Sequence, residues 1–156
     1  MSLEKDLERD LEKWIRTYAE AYCKKAAIEL TETAKYAIQK FYNDYTPKYY
    51  DRTFDLRDNS YSLYYHNNGR KIYGGVRISA DKMQDYKDGT SAVDVVGWTW
   101  FEGRHGFRGR DVDYPIYTYP PINIVKEKRD DASFLRELTN HATKEAKKQS
   151  YSILFK

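Results

Sequence analysis

The sequence predicts an α+β domain with a long N-terminal helix, an antiparallel β-meander of about four strands and a C-terminal helix. Three observations support this prediction. Apolar residues recur at helical spacing over residues 3–42, with no Gly or Pro to interrupt them. Alternating side chains and a hairpin turn follow in a tyrosine-rich stretch, residues 60–79. A second helical pattern covers residues 131–148. Helices at both ends therefore enclose a β-rich middle.

The N-terminal helix is predicted from a row of apolar residues. Ser2 is the expected N-cap, and the acidic residues that follow it favour the helix dipole. A single helix of this length would measure about 60 Å, which exceeds a small domain. Either the helix breaks near residues 22–26, or its first half projects and packs on another subunit. The row consists of Leu3, Leu7, Leu11, Trp14, Tyr18, Ala21, Tyr22, Ala26, Leu30, Ala34, Ala37 and Phe41.

The predicted meander begins after Thr46-Pro47, because the residue before a proline disfavours helical angles. Tyr61–Tyr65 alternates as a strand, and Asn67-Asn68-Gly69 predicts a hairpin turn. The returning strand, Lys71–Ser79, contains Gly74-Gly75, which indicates a bulge or a close backbone approach.

Two further extended segments complete the predicted meander. Ala92–Phe101 is rich in β-formers and is predicted as the third strand. A glycine-rich loop, Glu102–Asp113, follows it. Tyr114–Val125 contains three prolines and is predicted as an edge strand or a polyproline-like path. The closing helix is expected over Asp131–Lys148, with Asp131 or Ser133 as its cap.

Length and composition favour a single domain over residues 1–156. It divides into an N-terminal helical segment (1–44), a β-rich core (45–125) and a C-terminal helix with a tail (126–156). The charged fraction is 33%, and no apolar run approaches the length of a membrane helix. We expect neither a membrane contact nor a signal peptide, since the N-terminus is charged at once. The single cysteine, Cys23, cannot form an internal disulfide.

Positive charge is concentrated at the C-terminal end of the chain. The net charge is +3, and residues 126–156 hold eight Lys and Arg against five Asp and Glu. A phosphate-binding surface needs such a cluster, but the interspersed acids favour an ordinary solvated helix face. A nucleic-acid-binding protein remains the alternative. It would use these lysines, the arginines of the glycine-rich loop and stacking by some of the 16 tyrosines.

No catalytic residue, metal site or cofactor is predicted. The three histidines lie in different predicted elements, and Cys23 has no evident histidine partner. A third hypothesis is a small metal-dependent hydrolase or nuclease. It would combine Asp51, Asp55 and Asp58 with His105, but arginines interleave with these carboxylates and favour local ion pairs.

Aromatic and arginine side chains form the candidate interface. Arginine guanidinium groups next to aromatic rings are a combination typical of protein interfaces. Tyrosine suits interfaces as well, because its ring is amphipathic and loses little rotamer entropy. The candidate interface residues are Trp14, Tyr18, Trp98, Trp100, Arg104, Phe107, Arg108 and Arg110.

A spaced set of residues resembles a motif of phage assembly proteins. The residues are Pro47, Thr53, Leu56-Arg57 and Ser60, followed later by Glu102-Gly103 in the stretch WTWFEG and by ASFLREL near the C-terminus. The chain is similar to the small head–tail joining or tail-completion proteins of long-tailed bacteriophages. That family carries Pro-x-x-Thr-Gly-x-Leu-Arg-x-Ser between a first helix and strands. Here the Pro–Thr spacing is longer, Phe54 replaces the glycine, and one extra residue separates Arg57 from Ser60. A later strand of the family usually ends in an aromatic-Glu-x-Gly turn, whereas Glu102 and Gly103 are adjacent here.

The resemblance implies a non-enzymatic protein of a phage or prophage particle. It would form a ring, or join one, where the head connector meets the tail tube. Its partners would be further copies of itself together with connector and tail-tube proteins. It would be found in the virion and, during assembly, in the host bacterial cytoplasm. In the motif, Leu56 is expected to pin the loop, Arg57 to pair with a carboxylate across the strands, and Ser60 to start the strand.

Overall fold

The computed structural model of the protein describes residues 2–45, 54–87, 89–105 and 116–154. The α+β class is confirmed, with helices at both ends of the chain. In order, the elements are α1 (Leu3–Asn43), α2 (Asp55–Asn59), β1 (Tyr61–Asn67), β2 (Ile72–Ile78), α3 (Ala92–Gly97), a π-helical turn (Trp98–Glu102), β3 (Arg104–His105), β4 (Ile116–Tyr117), α4 (Pro121–Asp130) and α5 (Ala132–Leu154).

Helix α1 runs without a break for 41 residues. The expected long helix is therefore confirmed, and the alternative of a break near residues 22–26 is wrong. Ser2 takes the N-cap position, but its side chain makes no cap hydrogen bond. Its carbonyl accepts instead from the Lys5 backbone N–H at 3.0 Å. The helix stays continuous because no residue interrupts its backbone ladder and its second half is held in the core.

The hydrophobic core lies along the second half of α1. Four alanines in this half are at most 6% exposed, and such small side chains let α4 and α5 approach the helix closely. Helix α5 runs back along α1, so that Thr17 Oγ1 donates to Gln149 Oε1 at 2.7 Å. The core cluster consists of Ala26, Leu30, Ala34, Ala37, Ile38, Phe41, Leu56, Val95, Val96, Trp100, Val125, Phe134 and Leu138.

The predicted hairpin is confirmed. Strands β1 and β2 pair antiparallel, from Tyr61 opposite Ile78 to Asn67 opposite Ile72. Gly74 makes the close approach that its sequence predicted, since a Cβ placed there would lie 1.9 Å from the carbonyl oxygen of Cys23 in α1. The hairpin can therefore lie directly against the helix backbone. An added Cβ on Gly75 would meet nothing within 4 Å.

The predicted four-stranded meander is wrong in its second half. The segment expected as a third strand is helical, as α3 and the π-helical turn. Ser91 caps α3, its Oγ accepting from the Asp94 N–H at 3.1 Å. The buried side chains in this segment recur at helical spacing: Ala92, Val95, Val96, Thr99 and Trp100. The β-forming composition was misleading, because the spacing of the buried residues decides which element packs.

The expected edge strand is reduced to two residues. Only Ile116–Tyr117 pairs, with Arg104–His105. Pro121 then begins α4 instead of extending the strand. Its fixed φ and missing N–H suit the first turn of a helix. Asp131 is confirmed as the cap of α5, its Oδ1 accepting from the Phe134 N–H at 2.8 Å. No helix within the described residues is both long and apolar enough to cross a membrane.

Candidate interaction surface

The Leu and Ser positions of the phage-like motif are core positions. Leu56 is only 4% exposed. Ser60 is fully buried, and its Oγ accepts a hydrogen bond from Trp100 Nε1 at 2.8 Å. This bond ties the start of β1 to the π-helical turn. The expectation that Trp100 contacts a partner is therefore wrong, because the ring fills the core and its N–H is already satisfied inside the domain.

Arg57 pairs locally instead of across the strands. Its Nε and Nη2 donate to the two carboxylate oxygens of Asp58 at 2.7 and 3.0 Å. This hydrogen bonding holds the pKa of Asp58 below its ordinary value. The guanidinium also lies 4.3 Å from the ring centroid of Phe54, which adopts a left-handed φ of 60°. The expected cross-strand ion pair is replaced by this pair with the next residue along the chain.

Gly103 has a structural role at the end of the π-helical turn. Its φ is +66°, and a Cβ there would lie 2.0 Å from the Thr118 carbonyl oxygen. The Thr118 N–H donates to the Gly103 carbonyl at 2.9 Å. Glu102, the other predicted motif residue, is exposed. The Glu-Gly pair therefore ends a helical turn where the sequence predicted the end of a strand.

The arginine-rich loop lies largely outside the described residues. Its predicted interface residues Phe107, Arg108 and Arg110 are outside the described residues. The motif residues Pro47 and Thr53, in an earlier segment of the chain, are outside them as well. At the described edge of the loop, the Arg104 guanidinium lies 4.9 Å from the Trp98 ring centroid. Both side chains are half-buried. The structure thus brings together two of the predicted interface residues.

The residues considered for metal-dependent chemistry do not form a site in the described structure. His105 is buried, stacks on Phe41 with ring centroids 3.8 Å apart, and lies 2.8 Å from Thr118 Oγ1. Asp55 accepts from Asn59 Nδ2 at 2.5 Å. Asp51 is outside the described residues. Among those described, no three His, Cys, Asp or Glu side chains cluster as metal ligands would.

The basic residues near the C-terminus are partly engaged within the fold. Arg129 pairs with Asp130 at 2.8 Å, and Lys148 pairs with Glu145 at 2.9 Å. Lys128 Nζ lies 4.6 Å from the Phe134 ring centroid. These contacts favour the solvated helix face that the interspersed acids predicted.

The first half of α1 is the most exposed apolar region of the described structure. We call Leu3, Leu7, Leu11 and Ile15 the leucine row; their side chains are 86, 71, 57 and 53% exposed. From Ser2 to Lys13 every residue except Asp6 is exposed. The first buried residue of α1 is Ala26. The leucine row therefore exposes apolar side chains over about four turns of α1, and roughly three more turns separate it from the first core residue.

An aromatic ladder continues the leucine row toward the core. Trp14 and Tyr18 stack at 5.5 Å, and Tyr18 and Tyr22 at 6.2 Å. All three rings are half-buried. Burial and the neighbouring Tyr18 raise the pKa of Tyr22 above its ordinary value. Trp14 and Tyr18 were predicted interface residues, and the structure places them beside exposed leucines, in the mixture that protein interfaces favour.

Sequence reasoning missed a basic groove between α1 and the tip of the hairpin. Arg16 Nη2 donates to the carbonyl of Gly69 at 3.3 Å, which holds the tip of the hairpin against α1. The side chains that line the resulting groove are four basic, one acidic and two large aliphatic: Arg9, Lys13, Arg16, Arg70, Glu12, Ile15 and Ile72. The hairpin was predicted, but its docking point on α1 depends on tertiary contacts. The charge segregation along α1, visible in the sequence, was the signal that could have pointed to this region.

Comparison with protein families, curated proteins and solved structures finds no match to this chain.

Proposed function

We propose that this protein is a non-enzymatic assembly protein of a phage or prophage particle, and that it joins subunits through the projecting half of α1. The observation that carries the proposal is the leucine row, four large aliphatic side chains each more than half exposed on one helix. Soluble monomers seldom expose apolar residues in contiguous patches unless the patch binds something.

The energetics favour an intermolecular contact at this row. Full burial of a Leu or Ile side chain contributes roughly 1.5–3 kcal/mol relative to exposure. The projecting segment gains little of this from its own domain. Its side-chain ion pair between Arg9 and Asp6, at 3.1 Å, contributes only a few tenths of a kcal/mol. An isolated helix of such length is marginal in water, so a partner would stabilise the segment as well as cover it.

The motif residues support an assembly role over a catalytic one. Leu56, Ser60 and Gly103 all serve packing or backbone geometry. This is what a scaffold that positions an interface requires. In the phage setting, α1 would contact neighbouring copies or the connector, and the loop at residues 102–113 would contact the tube. Closed head-to-tail contacts between copies would generate the ring.

The test is the mass in solution, measured by size-exclusion chromatography with light scattering over a range of protein concentrations. We expect the wild-type protein to exceed 18.6 kDa at high concentration. Leu7→Glu should return it to the monomer, because a charge cannot be buried in the interface without a partner. Electron microscopy of concentrated protein then tests whether the multimers form closed rings.

Val93 provides a matched control. It is 71% exposed, the same fraction as Leu7, but lies on α3. Val93→Glu should leave the multimer intact. Equal loss of mass in both variants would point to a general solubility effect. An unchanged multimer in Leu7→Glu would remove α1 as the contact and contradict the proposal.

A further inference from the structure

We infer that the face of the hairpin turned away from α1 binds single-stranded nucleic acid. This surface is separate from the leucine row, and it is also separate from the arginine-rich loop and the C-terminal lysines. The inference therefore goes beyond the proposed function, and neither depends on the other. We call this surface the outer face; it consists of Ser62, Tyr64, His66, Lys71, Tyr73, Gly75 and Arg77.

The contacts of the hairpin with α1 identify the outer face. Gly74 and its cross-strand partner Tyr65 both contact the helix. Gly74 lies against the backbone of Cys23, and the Tyr65 ring centroid lies 5.4 Å from Lys24 Nζ. Successive side chains of a strand point to opposite faces, so the neighbours of these two residues along each strand point away from α1. Those neighbours are Tyr64, His66, Tyr73 and Gly75.

Flat side chains form a platform on the outer face. His66 and Tyr73 are exposed, and their rings stack with centroids 6.5 Å apart and planes inclined by 27°. Tyr64 lies on the same strand as His66, about 6.6 Å from it. The Arg77 guanidinium lies 4.6 Å from the Tyr64 ring centroid. Unpaired bases stack on aromatic rings and on guanidinium planes, so this platform can receive successive bases of a single strand.

Gly75 leaves an open space in the middle of the platform. It lies opposite Tyr64 and between Tyr73 and Arg77, and a Cβ placed there would meet nothing within 4 Å. Its φ is not left-handed, so neither its backbone nor a close contact requires glycine, in contrast to Gly74. A glycine inside a strand weakens the strand and often marks a site where a ligand approaches the backbone.

The charge of the hairpin fits phosphate groups. Residues 59–80 contain three Lys or Arg and no Asp or Glu, although 24 of the 156 residues of the chain are acidic. Lys71 and Arg77 are exposed toward opposite ends of the outer face, and no carboxylate in the described part of the chain pairs with either. Of the flanking acids, Asp58 is paired with its neighbour and Asp81 lies beyond the end of β2. Phosphates on either side of the stacked bases would meet these two cations.

The composition of the outer face favours nucleic acid over a protein partner. Tyrosine and arginine also occur at protein interfaces, but the centre of such an interface is apolar and close-packed. The outer face has no aliphatic side chain, and its centre is the bare backbone of Gly75. The leucine row, by contrast, offers large aliphatic anchors. Rings and cations around an open floor suit flat bases and phosphates.

Fluorescence polarisation tests the inference. Full-length protein is titrated into a fluorescent oligothymidylate of about 12 nucleotides. We expect a dissociation constant on the order of 10 micromolar at low salt, and a slope of about −1.4 for the logarithm of the binding constant against that of salt, since two phosphates are contacted. Tyr73→Ala should weaken binding about tenfold because one base loses its stacking partner. Arg77→Gln should also reduce the magnitude of the slope by about 0.7.

Matched variants separate the outer face from the rest of the surface. Tyr36→Ala removes a tyrosine that is 61% exposed on α1, and Arg136→Gln removes an exposed arginine on α5. Both should leave the dissociation constant unchanged. Gly75→Val adds a side chain where the structure is open, so the hairpin should form while the space for a base is lost. We expect it to weaken binding about as much as Tyr73→Ala does. Circular dichroism checks that each variant is folded.

Four results would overturn the inference. The first is no binding at low salt. The second is equal weakening by the variants on and off the outer face, which would place the binding elsewhere. The third is an abasic oligonucleotide that binds as tightly as oligothymidylate, because charge alone would then explain the affinity. The fourth is polyglutamate binding as tightly, which would indicate an acidic protein partner. Each of these would leave the proposed function standing, since Leu7 lies outside the outer face.

Discussion

The two halves of α1 both carry apolar residues at helical spacing but have opposite surroundings. In the second half, Ala34 and Ile38 are fully buried under α4, α5 and the neighbouring elements. In the first half, Leu7 and Ile15 are 71 and 53% exposed. One helix therefore serves as the core of its own domain at one end and presents an apolar surface at the other. An apolar row in a sequence therefore predicts that its side chains will be buried, but it does not indicate whether the surface that covers them belongs to the same chain.

Two isoleucines give the largest expected difference between the halves. Ile38→Ala should lower the free energy of unfolding by about 2–5 kcal/mol, because it leaves a cavity in the core. Ile15→Ala makes the same chemical change on the same helix, where we expect an effect within about 0.5 kcal/mol. Urea unfolding at a concentration low enough to keep the protein monomeric measures both. A similar loss of unfolding free energy in the two variants would contradict the difference in burial between the two halves.

The boundary between the halves can be tested at the hairpin. Gly74→Ala would push a Cβ into the backbone of Cys23, where no side-chain rotation can relieve the overlap. We expect a loss of about 3 kcal/mol in the free energy of unfolding. Gly75→Ala is the matched control, since its Cβ would meet nothing. Thermal or urea unfolding of the pair is the measurement, and equal stability would mean that the hairpin is not seated on α1 at this point.

A smaller effect is expected at the buried bond between Ser60 and Trp100. Ser60→Ala leaves the Trp100 N–H without its acceptor, which should cost about 1–2 kcal/mol of folding free energy. The double variant with Trp100→Phe supplies the control. It should cost less than the sum of the single variants, because both partners are then removed. Additive losses in urea unfolding would show that the bond has no stabilising role.

The smallest effect concerns the chemistry of Cys23, not stability. Burial raises the pKa of its thiol, so less thiolate is present at pH 8 than in a free cysteine. We expect alkylation by iodoacetamide to be about tenfold slower than at an exposed cysteine, with its pH midpoint shifted upward. Val93→Cys with Cys23→Ser is the exposed reference. Gly74→Ala should speed the reaction at Cys23, because lifting the hairpin uncovers the thiol. Equal rates at both cysteines would contradict the expected shielding.

Local signals correctly predicted a large part of the fold. The uninterrupted apolar row predicted α1, the Asn-Asn-Gly turn predicted the hairpin, and Asp131 predicted the start of α5. The Gly74 approach was also predicted, although its contact with Cys23 was not. These features depend on neighbours close in the chain or on backbone freedom, both of which are visible in residue type and spacing.

The errors have a common physical cause. Ala92–Phe101 was predicted as a strand because β-branched and aromatic residues favour strands, yet its buried face has helical period. Trp100 was assigned to an interface because it lies near arginines in the sequence, but it is buried, and its hydrogen-bond partner Ser60 lies 40 residues away in the chain. In the candidate site, Trp14 and Tyr18 were predicted from the sequence, but the basic groove at Arg70 was not, because it forms only when the hairpin docks.

By itself, the sequence determined that α1 would be one long helix with an apolar row and that a hairpin would follow, because both depend on short-range spacing and on the absence of helix breakers. Only the tertiary structure decided where that row leaves the core. α4, α5 and the hairpin cover the apolar row from Ala26 onward, but they are too short to cover the start of a helix about 60 Å long. The exposed leucines are the consequence of this mismatch in length, and they are the surface on which the proposed assembly depends.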